Sequence, residues 1–366
     1  MSVSRLFQPL KVGNLQLKQR IAMAPLTRFR ADDDHVPIIP LVEDYYTQRA
    51  SVPGTLLLTE ATLTSHQAGG YANVPGIYSQ AHIDAWKKIT DSIHKKGSYI
   101  YLQLWQLGRV ADPDQAKKEG ITIKSSSAVP FEGHAVPKEM TKDDIKIVIG
   151  EYVQGAKNAI AAGFDGVEVH GANGYLMDQF IQDVVNQRTD EYGGSIENRS
   201  RFAIEVTKAV VEAVGADRVG IRLSPFSDYQ GMHMKDPVPQ FSDLISKVAE
   251  LKLAYIHLVS SRISGNADKE GAEELDPLLK LFDGPILVAG GFKADSAKRL
   301  VDEEHPDKDL VVVFGRYFLS TPDLVYRVKN GIPFNDYDRD TFYAAKSEKG
   351  YIDYPFSEEF LSEAKL

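Results

Sequence analysis

Eight short β-branched runs, each followed by a segment of helical spacing, predict an α/β protein built as a closed TIM-type (β/α)8 barrel. An open doubly wound sheet alternates in the same way. However, no G-x-G-x-x-G follows the first run, and this favours the barrel. No linker-like shift in composition divides the chain, so residues 1–366 are expected to form a single domain, although the length alone would suggest two.

Taken in order, the expected strands are Arg20–Ala24, Thr55–Thr59, Tyr99–Leu104, Gly166–His170, Val219–Leu223, Tyr255–Val259, Ile286–Ala289 and Val311–Phe314. Before the first of them, Lys11 to Gln19 with Gly13-Asn14 in the middle reads as a short hairpin plugging the barrel's bottom. Ser79 can cap a helix that buries Ile83, Trp86, Ile89 and Ile93 and ends at Gly97. Thr141 and Asp144 resemble a capping box ahead of Ile145, Val148, Ile149, Tyr152 and Ala156. Gly163 and Gly215 close two further helices. A last one is expected with Thr321 as N-cap, Pro322 at its first position and Gly331 as terminator. The stretch from Gln106 to Met140 is too long for a plain connection, and its place after a strand predicts a lid among extended active-site loops.

Composition narrows the function. With 42 Lys+Arg against 51 Asp+Glu the net charge is −9, which argues against a nucleic-acid surface. The absence of Cys excludes disulfides, thiolate nucleophiles and Cys-ligated metal or iron–sulfur sites. At 43% hydrophobic and 25% charged residues the chain can bury a large core. No apolar run approaches a membrane span, and the first residues lack the apolar stretch of a signal peptide. A cytoplasmic protein is therefore expected. The terminal Ala364-Lys365-Leu366 is a near variant of the Ser-Lys-Leu peroxisomal address, and a chance tripeptide is the plainer reading.

In such a barrel the chemistry belongs at the C-terminal ends of the strands. The last two strands end in Ala289-Gly290-Gly291-Phe292 and Phe314-Gly315-Arg316. Bare backbone and a guanidinium at these positions suit a phosphate. The fourth ends in His170-Gly171-Ala172-Asn173-Gly174-Tyr175, where His170 and Asn173 can donate to one oxygen. Tyr175 lies just beyond; with an ordinary pKa of about 10 its phenol can supply a proton. Arg222 puts a permanent cation in the barrel mouth, suited to a group that becomes anionic. Glu168 shares parity with His170 and reads as a buried charge paired with a neighbour such as Arg222. A glycosidase would need a facing carboxylate, and Glu60 is a weak candidate. A metal-dependent hydrolase would need companions for His170, and none stands at ligand spacing. Taken alone, Thr27 reads as a helix cap.

Together these segments resemble the Old Yellow Enzyme family of FMN-dependent NADPH dehydrogenases and ene-reductases, most of all its fungal members. The resemblance is carried by Met23-Ala24-Pro25-Leu26-Thr27-Arg28, Gln103-Leu104-Trp105, His170 to Leu176, Glu191 to Arg199 and Phe314-Gly315-Arg316-Tyr317, and it runs over essentially the whole chain. It implies that Gly290, Gly291, Gly315 and Arg316 hold the FMN phosphate, while Pro25, Leu26, Thr27, Ala61 and Gln103 line the isoalloxazine. Arg222 would face the ring's N1 and C2 oxygen. His170 and Asn173 would bind the carbonyl oxygen of an α,β-unsaturated substrate, hydride would reach its β-carbon, and Tyr175 would protonate the α-carbon. Tyr71, Trp105, Phe226 and Tyr343 would wall the substrate. NADPH or NADH as donor in a ping-pong cycle, phenolic ligands, and a monomer or homodimer are likewise what the family implies. Within the enzyme class the alternative is a dedicated secondary-metabolism reductase or isomerase acting on one bulky unsaturated aldehyde; a non-catalytic flavin-binding barrel is the alternative from another class, and the intact His170, Asn173 and Tyr175 set argues against it. Departures are Gly291 where many relatives have Asn, Ala61 where Gly is frequent, and Ser260 to Ala267, which lacks an aromatic that some relatives carry.

Overall fold

In a computed structural model, which describes residues 4–261, 263–264, 267–268 and 273–363, eight parallel strands close on themselves in sequence order. They are β1 (Ile21–Met23), β2 (Leu56–Leu63), β3 (Tyr99–Trp105), β4 (Gly166–Gly171), β5 (Val219–Leu223), β6 (Tyr255–Val259), β7 (Ile286–Ala289) and β8 (Leu310–Phe314). All eight predicted strands are present, with ends displaced by a few residues. The longest shift is in β2, which runs on through Glu60 to Leu63. There the register against β3 slips between Leu58 and Ala61, and Thr59 Oγ1 accepts the Gln103 N–H at 3.0 Å.

Alternation divides the apolar residues into two cores. One set packs outward beneath the helices, among them Met23, Leu57, Leu102 and Ile221. The other faces the barrel axis, where Ala22, Leu56, Leu287 and Val311 meet Val12, Leu15 and Leu17 of the N-terminal hairpin. The hairpin, Leu10–Val12 against Leu15–Leu17, therefore floors the barrel as expected. Gly166 and Gly220 make room on the axis for two tyrosine rings: a Cβ on either would fall 2.3 Å from Tyr101 or Tyr255.

Ser79 caps Gln80–Lys95, and Thr141 with Asp144 forms the capping box of Lys142–Ala161. The last predicted cap is corrected. Helix Leu324–Asn330 starts at Asp323, two residues later than Thr321. Thr321 Oγ1 accepts the Asn335 N–H (3.1 Å), while the Asp323 carboxylate takes Arg327 Nε (2.8 Å) and the Ser357 N–H and hydroxyl (2.9 and 2.7 Å). Contacts with the C-terminal segment set that boundary. Helix Leu324–Asn330 does end at Gly331, in the left-handed conformation.

The predicted lid is also corrected. Residues 107–140 do not line the large cavity at the barrel mouth. They hold helix Pro113–Glu119 and a short parallel pairing of Lys124–Ser125 with Lys138–Glu139, and they wall a separate cavity of about 320 Å³. Arg109 fixes the segment down: its N–H donates to Gln179 Oε1 and its Nη2 to the Gln230 carbonyl, both at 3.0 Å. It buttresses the wall behind the mouth. No helix among the described residues is long and apolar enough to cross a membrane. The terminal Ala364-Lys365-Leu366 and part of the loop from Ser260 to Ala267 lie outside the described residues.

Candidate active site

The strands' C-terminal ends open into a cavity of about 520 Å³. It gathers Pro25, Leu26, Thr27, Ala61, Gln103, Arg222, Gly290, Gly291, Gly315 and Arg316 with His170, Asn173, Tyr175, Tyr71 and Tyr343. Two predicted wall residues are corrected. Trp105 is fully buried behind the wall, its ring 5.9 Å from Tyr71 and 5.0 Å from Tyr175, so it supports both. Phe226 sits in the outer core because the turn closed by Ser227 N–H on the Ser224 carbonyl carries it away from the mouth. Tyr229, Phe29, Phe292 and Phe342 line the cavity without having been predicted.

β4 delivers the central group. Beyond its end Asn173 adopts φ +57°, its N–H donating to Ser224 Oγ (2.7 Å) and its carbonyl accepting from Gln230 Nε2 (2.9 Å). His170 Nδ1 accepts the Ala172 N–H at 3.3 Å, which assigns the ring proton to Nε2. Burial, reinforced by Arg222 and His257, holds the His170 pKa well below its ordinary 6.5, so the ring is neutral and remains a donor. The Tyr175 ring lies 5.0 Å from His170. Burial, with Tyr71 and Tyr229 beside it, keeps the phenol protonated far above pH 10, and the hydroxyl also meets the Gln230 side chain.

Beneath this group Glu168 points to the axis, as its parity predicted, but its partner is not Arg222. Oε1 accepts from Gln103 Nε2 (2.7 Å), and Oε2 from His257 Nδ1 (2.8 Å) and the Tyr255 hydroxyl (3.1 Å). Arg222 pairs in register with His170, one layer higher, and reaches Glu168 only through space. Sequence reasoning missed His257. Its signal was its parity with Tyr255 inside a strand that faces the axis.

The opposite wall is tied by two buried arginines. Arg28 donates through Nε to the Phe342 carbonyl (3.0 Å) and through Nη2 to that of Gly350 (2.7 Å); Arg30 donates to Phe342 and Thr341 carbonyls (3.0 and 3.1 Å). These bonds hold the segment that brings Tyr343 to the cavity, where its ring stands 5.8 Å from Phe29. Thr27 caps no helix, since the first α-helix begins at Leu41, and its hydroxyl is left to the cavity.

A parallel barrel whose mouth combines a cation, bare backbone after β7 and β8, and two neutral donors beside a phenol defines a flavin-type oxidoreductase scaffold. The comparisons agree: the chain belongs to the NADH:flavin oxidoreductase / NADH oxidase family, the Old Yellow Enzyme family, whose model matches residues 5–335. It is 57% identical to the chanoclavine-I aldehyde reductase fgaOx3 of Penicillium roqueforti, over 98% of both chains. It is 49% identical to the probable inactive reductase easA of Epichloe festucae var. lolii, over 100% of this chain and 98% of that one. Among solved structures it superposes on Old Yellow Enzyme from Pichia sp. AKU4542 with a TM-score of 0.90 at 40% identity, covering 97% and 94% of the two chains. For morphinone reductase in complex with tetrahydroNAD the TM-score is 0.87 at 38% identity, covering 96% and 98%.

The residues present fit FMN. Arg222 Nε is buried without a partner among the described residues, as expected of a cation built for a ligand. At Gly315 an added Cβ would meet nothing closer than 3.7 Å, so packing within the protein does not require glycine there; what the glycine leaves open is the cavity itself.

Proposed function

We propose that this protein is an FMN-dependent NAD(P)H reductase of the activated C=C bond in α,β-unsaturated aldehydes and ketones. The observation that carries this reading is the neutral His170, its Nε2–H unspent, grouped with Asn173 and a phenol that stays protonated. Gly290, Gly291, Gly315 and Arg316 would hold the FMN phosphate; Pro25, Leu26, Thr27, Ala61, Gln103 and Arg222 would hold its ring. When bound, FMN supplies the hydride, having taken it from NADPH or NADH. His170 and Asn173 donate to the substrate's carbonyl oxygen and withdraw electron density from its β-carbon. Tyr175 holds the proton that the α-carbon receives, so the double bond gains one hydride and one proton. Tyr71, Tyr229 and Tyr343 exclude water around the substrate.

The aldehyde reductase relative favours a narrower form of the same reading, a dedicated reductase of one bulky unsaturated aldehyde. Relatives described as inactive make catalysis itself worth testing, and Tyr175 supports an active enzyme here.

The test is a visible spectrum of the purified protein, followed under anaerobic conditions by NADPH and then cyclohexenone. Flavin bands that bleach and then return support the reading. Bleaching without recovery, repeated with bulky unsaturated aldehydes, would overturn the enone assignment. A colourless protein that cannot be reconstituted with FMN would overturn the cofactor.

A further inference from the structure

The hydrogen bonds around Glu168 decide which atoms its neighbours show to the cavity. An ionised carboxylate only accepts, so the Gln103 atom 2.7 Å from Oε1 is the NH2, and the amide oxygen is turned away from Glu168. Gln103 lines the cavity, and among the described residues nothing donates to that oxygen. The same argument puts a proton on His257 Nδ1 and leaves Nε2 a bare acceptor. Nε2 is buried without a partner among the described residues, and a second proton there would be an unpaired buried N–H. The ring is therefore neutral, and burial acts in the same direction. Beneath the mouth the Glu168 carboxylate and the Arg222 guanidinium lie close, and among the described residues no hydrogen bond joins them.

We propose that Glu168 is a positioning residue for the flavin: it fixes Gln103 with an acceptor toward the ring, and its charge partly offsets that of Arg222. This rests on the FMN reading above. An acceptor at this place suits the imide N–H of an isoalloxazine, whereas a reversed amide would present a donor to a donor. The charge has a separate consequence. Reduction makes the flavin more negative, so a carboxylate close to Arg222 opposes it, and removing that charge raises the reduction potential.

The experiment uses the holoenzyme of Glu168→Gln, a substitution of the same shape, with two readouts besides turnover. FMN affinity of the stripped protein, followed by flavin fluorescence, is expected to fall about tenfold, because His257 and Tyr255 hold the glutamine's oxygen and its NH2 then turns the Gln103 amide round. The two-electron midpoint potential is expected to rise by about 30 mV, a tenfold change in the equilibrium constant. A lower melting temperature with affinity and potential both unmoved would show a structural role only and overturn the proposal. Glu168→Asp keeps the charge but withdraws it from Gln103, so affinity should fall while the potential stays. Should Glu168→Gln fail to fold, Glu168→Asp and Gln103→Met carry the test, and unaltered FMN affinity in both would overturn the positioning role. A wild-type chain that takes up no FMN would defeat the proposed function itself; a yellow wild type whose Glu168→Gln variant behaves identically defeats this inference alone.

Discussion

From β7 through β8 and β1 to β2, the barrel interior presents Leu287, Ala289, Val311, Val313, Ala22, Ala24, Leu56 and Leu58, all buried and all apolar. From β3 to β6 the same depth holds Gln103, Glu168, His170, Arg222, Tyr255 and His257. The first half stabilises the fold by removing hydrocarbon from water. The second half costs stability, since each buried charge must be compensated by hydrogen bonds or by an opposite charge. The strand ends show the complementary pattern. The apolar half ends in the glycines Gly290, Gly291 and Gly315, which offer bare backbone beside the Arg316 and Thr27 side chains. The polar half ends in His170 and Arg222, with Asn173 and Tyr175 just beyond. One half of the barrel supports and cradles while the other carries the chemistry, and substitutions should separate the two.

The largest effect is expected at Tyr175. Tyr175→Phe keeps the ring against Trp105 and removes only the hydroxyl, so enone reduction should slow by about 10²–10⁴-fold, the usual worth of a positioned proton donor. Flavin reduction by NADPH, measured separately by stopped flow, should change little. Equal slowing of both half-reactions would assign Tyr175 to binding instead.

Next comes the apolar half. Leu56→Ala removes a fully buried side chain between the hairpin floor and the barrel wall and should cost about 2–5 kcal/mol in urea unfolding. The folded variant should keep its FMN affinity. A loss of FMN affinity larger than the loss of stability would break the division between the halves.

Third is the pair that meets the carbonyl oxygen. His170→Ala with Asn173→Gly, glycine chosen because residue 173 sits at φ +57°, should weaken phenol binding by about tenfold or more for each hydrogen bond removed. Flavin should stay bound, and the stability cost should be about 1–3 kcal/mol, that of the buried Ala172 N–H losing its His170 acceptor. Titrating the charge-transfer band of a phenol checks this, and retained phenol affinity would contradict the assigned carbonyl site.

The sequence displayed the strands because parity and β-branching are local, and it displayed His170, Asn173, Tyr175 and the glycines because strand ends in such a barrel have a fixed meaning. It did not display what depends on distant partners. Thr321 looked like a cap because its competition with Asp323, settled by Ser357 and Asn335, involves residues up to 36 positions away. Glu168 was correctly placed on the axis but given the wrong partner, because cross-strand neighbours in adjacent layers are not separable by eye. Tyr229 takes the place expected of Phe226, since a turn with no periodic pattern decides which aromatic faces the mouth. The 106–140 segment has the length of a lid, yet Arg109 anchors it as a wall.

The smallest expected effect is an absence of change, and it probes the polar half most directly. Burial and the proximity of Arg222 and His257 hold the His170 pKa far below 6.5, so the folded enzyme does not protonate it as pH falls through the range where a free histidine titrates. A neutral carbonyl ligand should therefore bind with the same affinity from about pH 8 down to about pH 5.5, a window spanning the unperturbed value of about 6.5. Cyclohexenone serves for this, because it does not titrate and phenols do. Affinity that rose in acid would mean that a charged imidazolium binds the oxygen. That would require His170 to give up its acceptor role toward the Ala172 N–H, and a buried cation would then stand next to Arg222. Two like charges in one layer with a single carboxylate below them is the arrangement the polar half is built to avoid, so a flat profile follows from the same network that orients Gln103 and isolates Arg222.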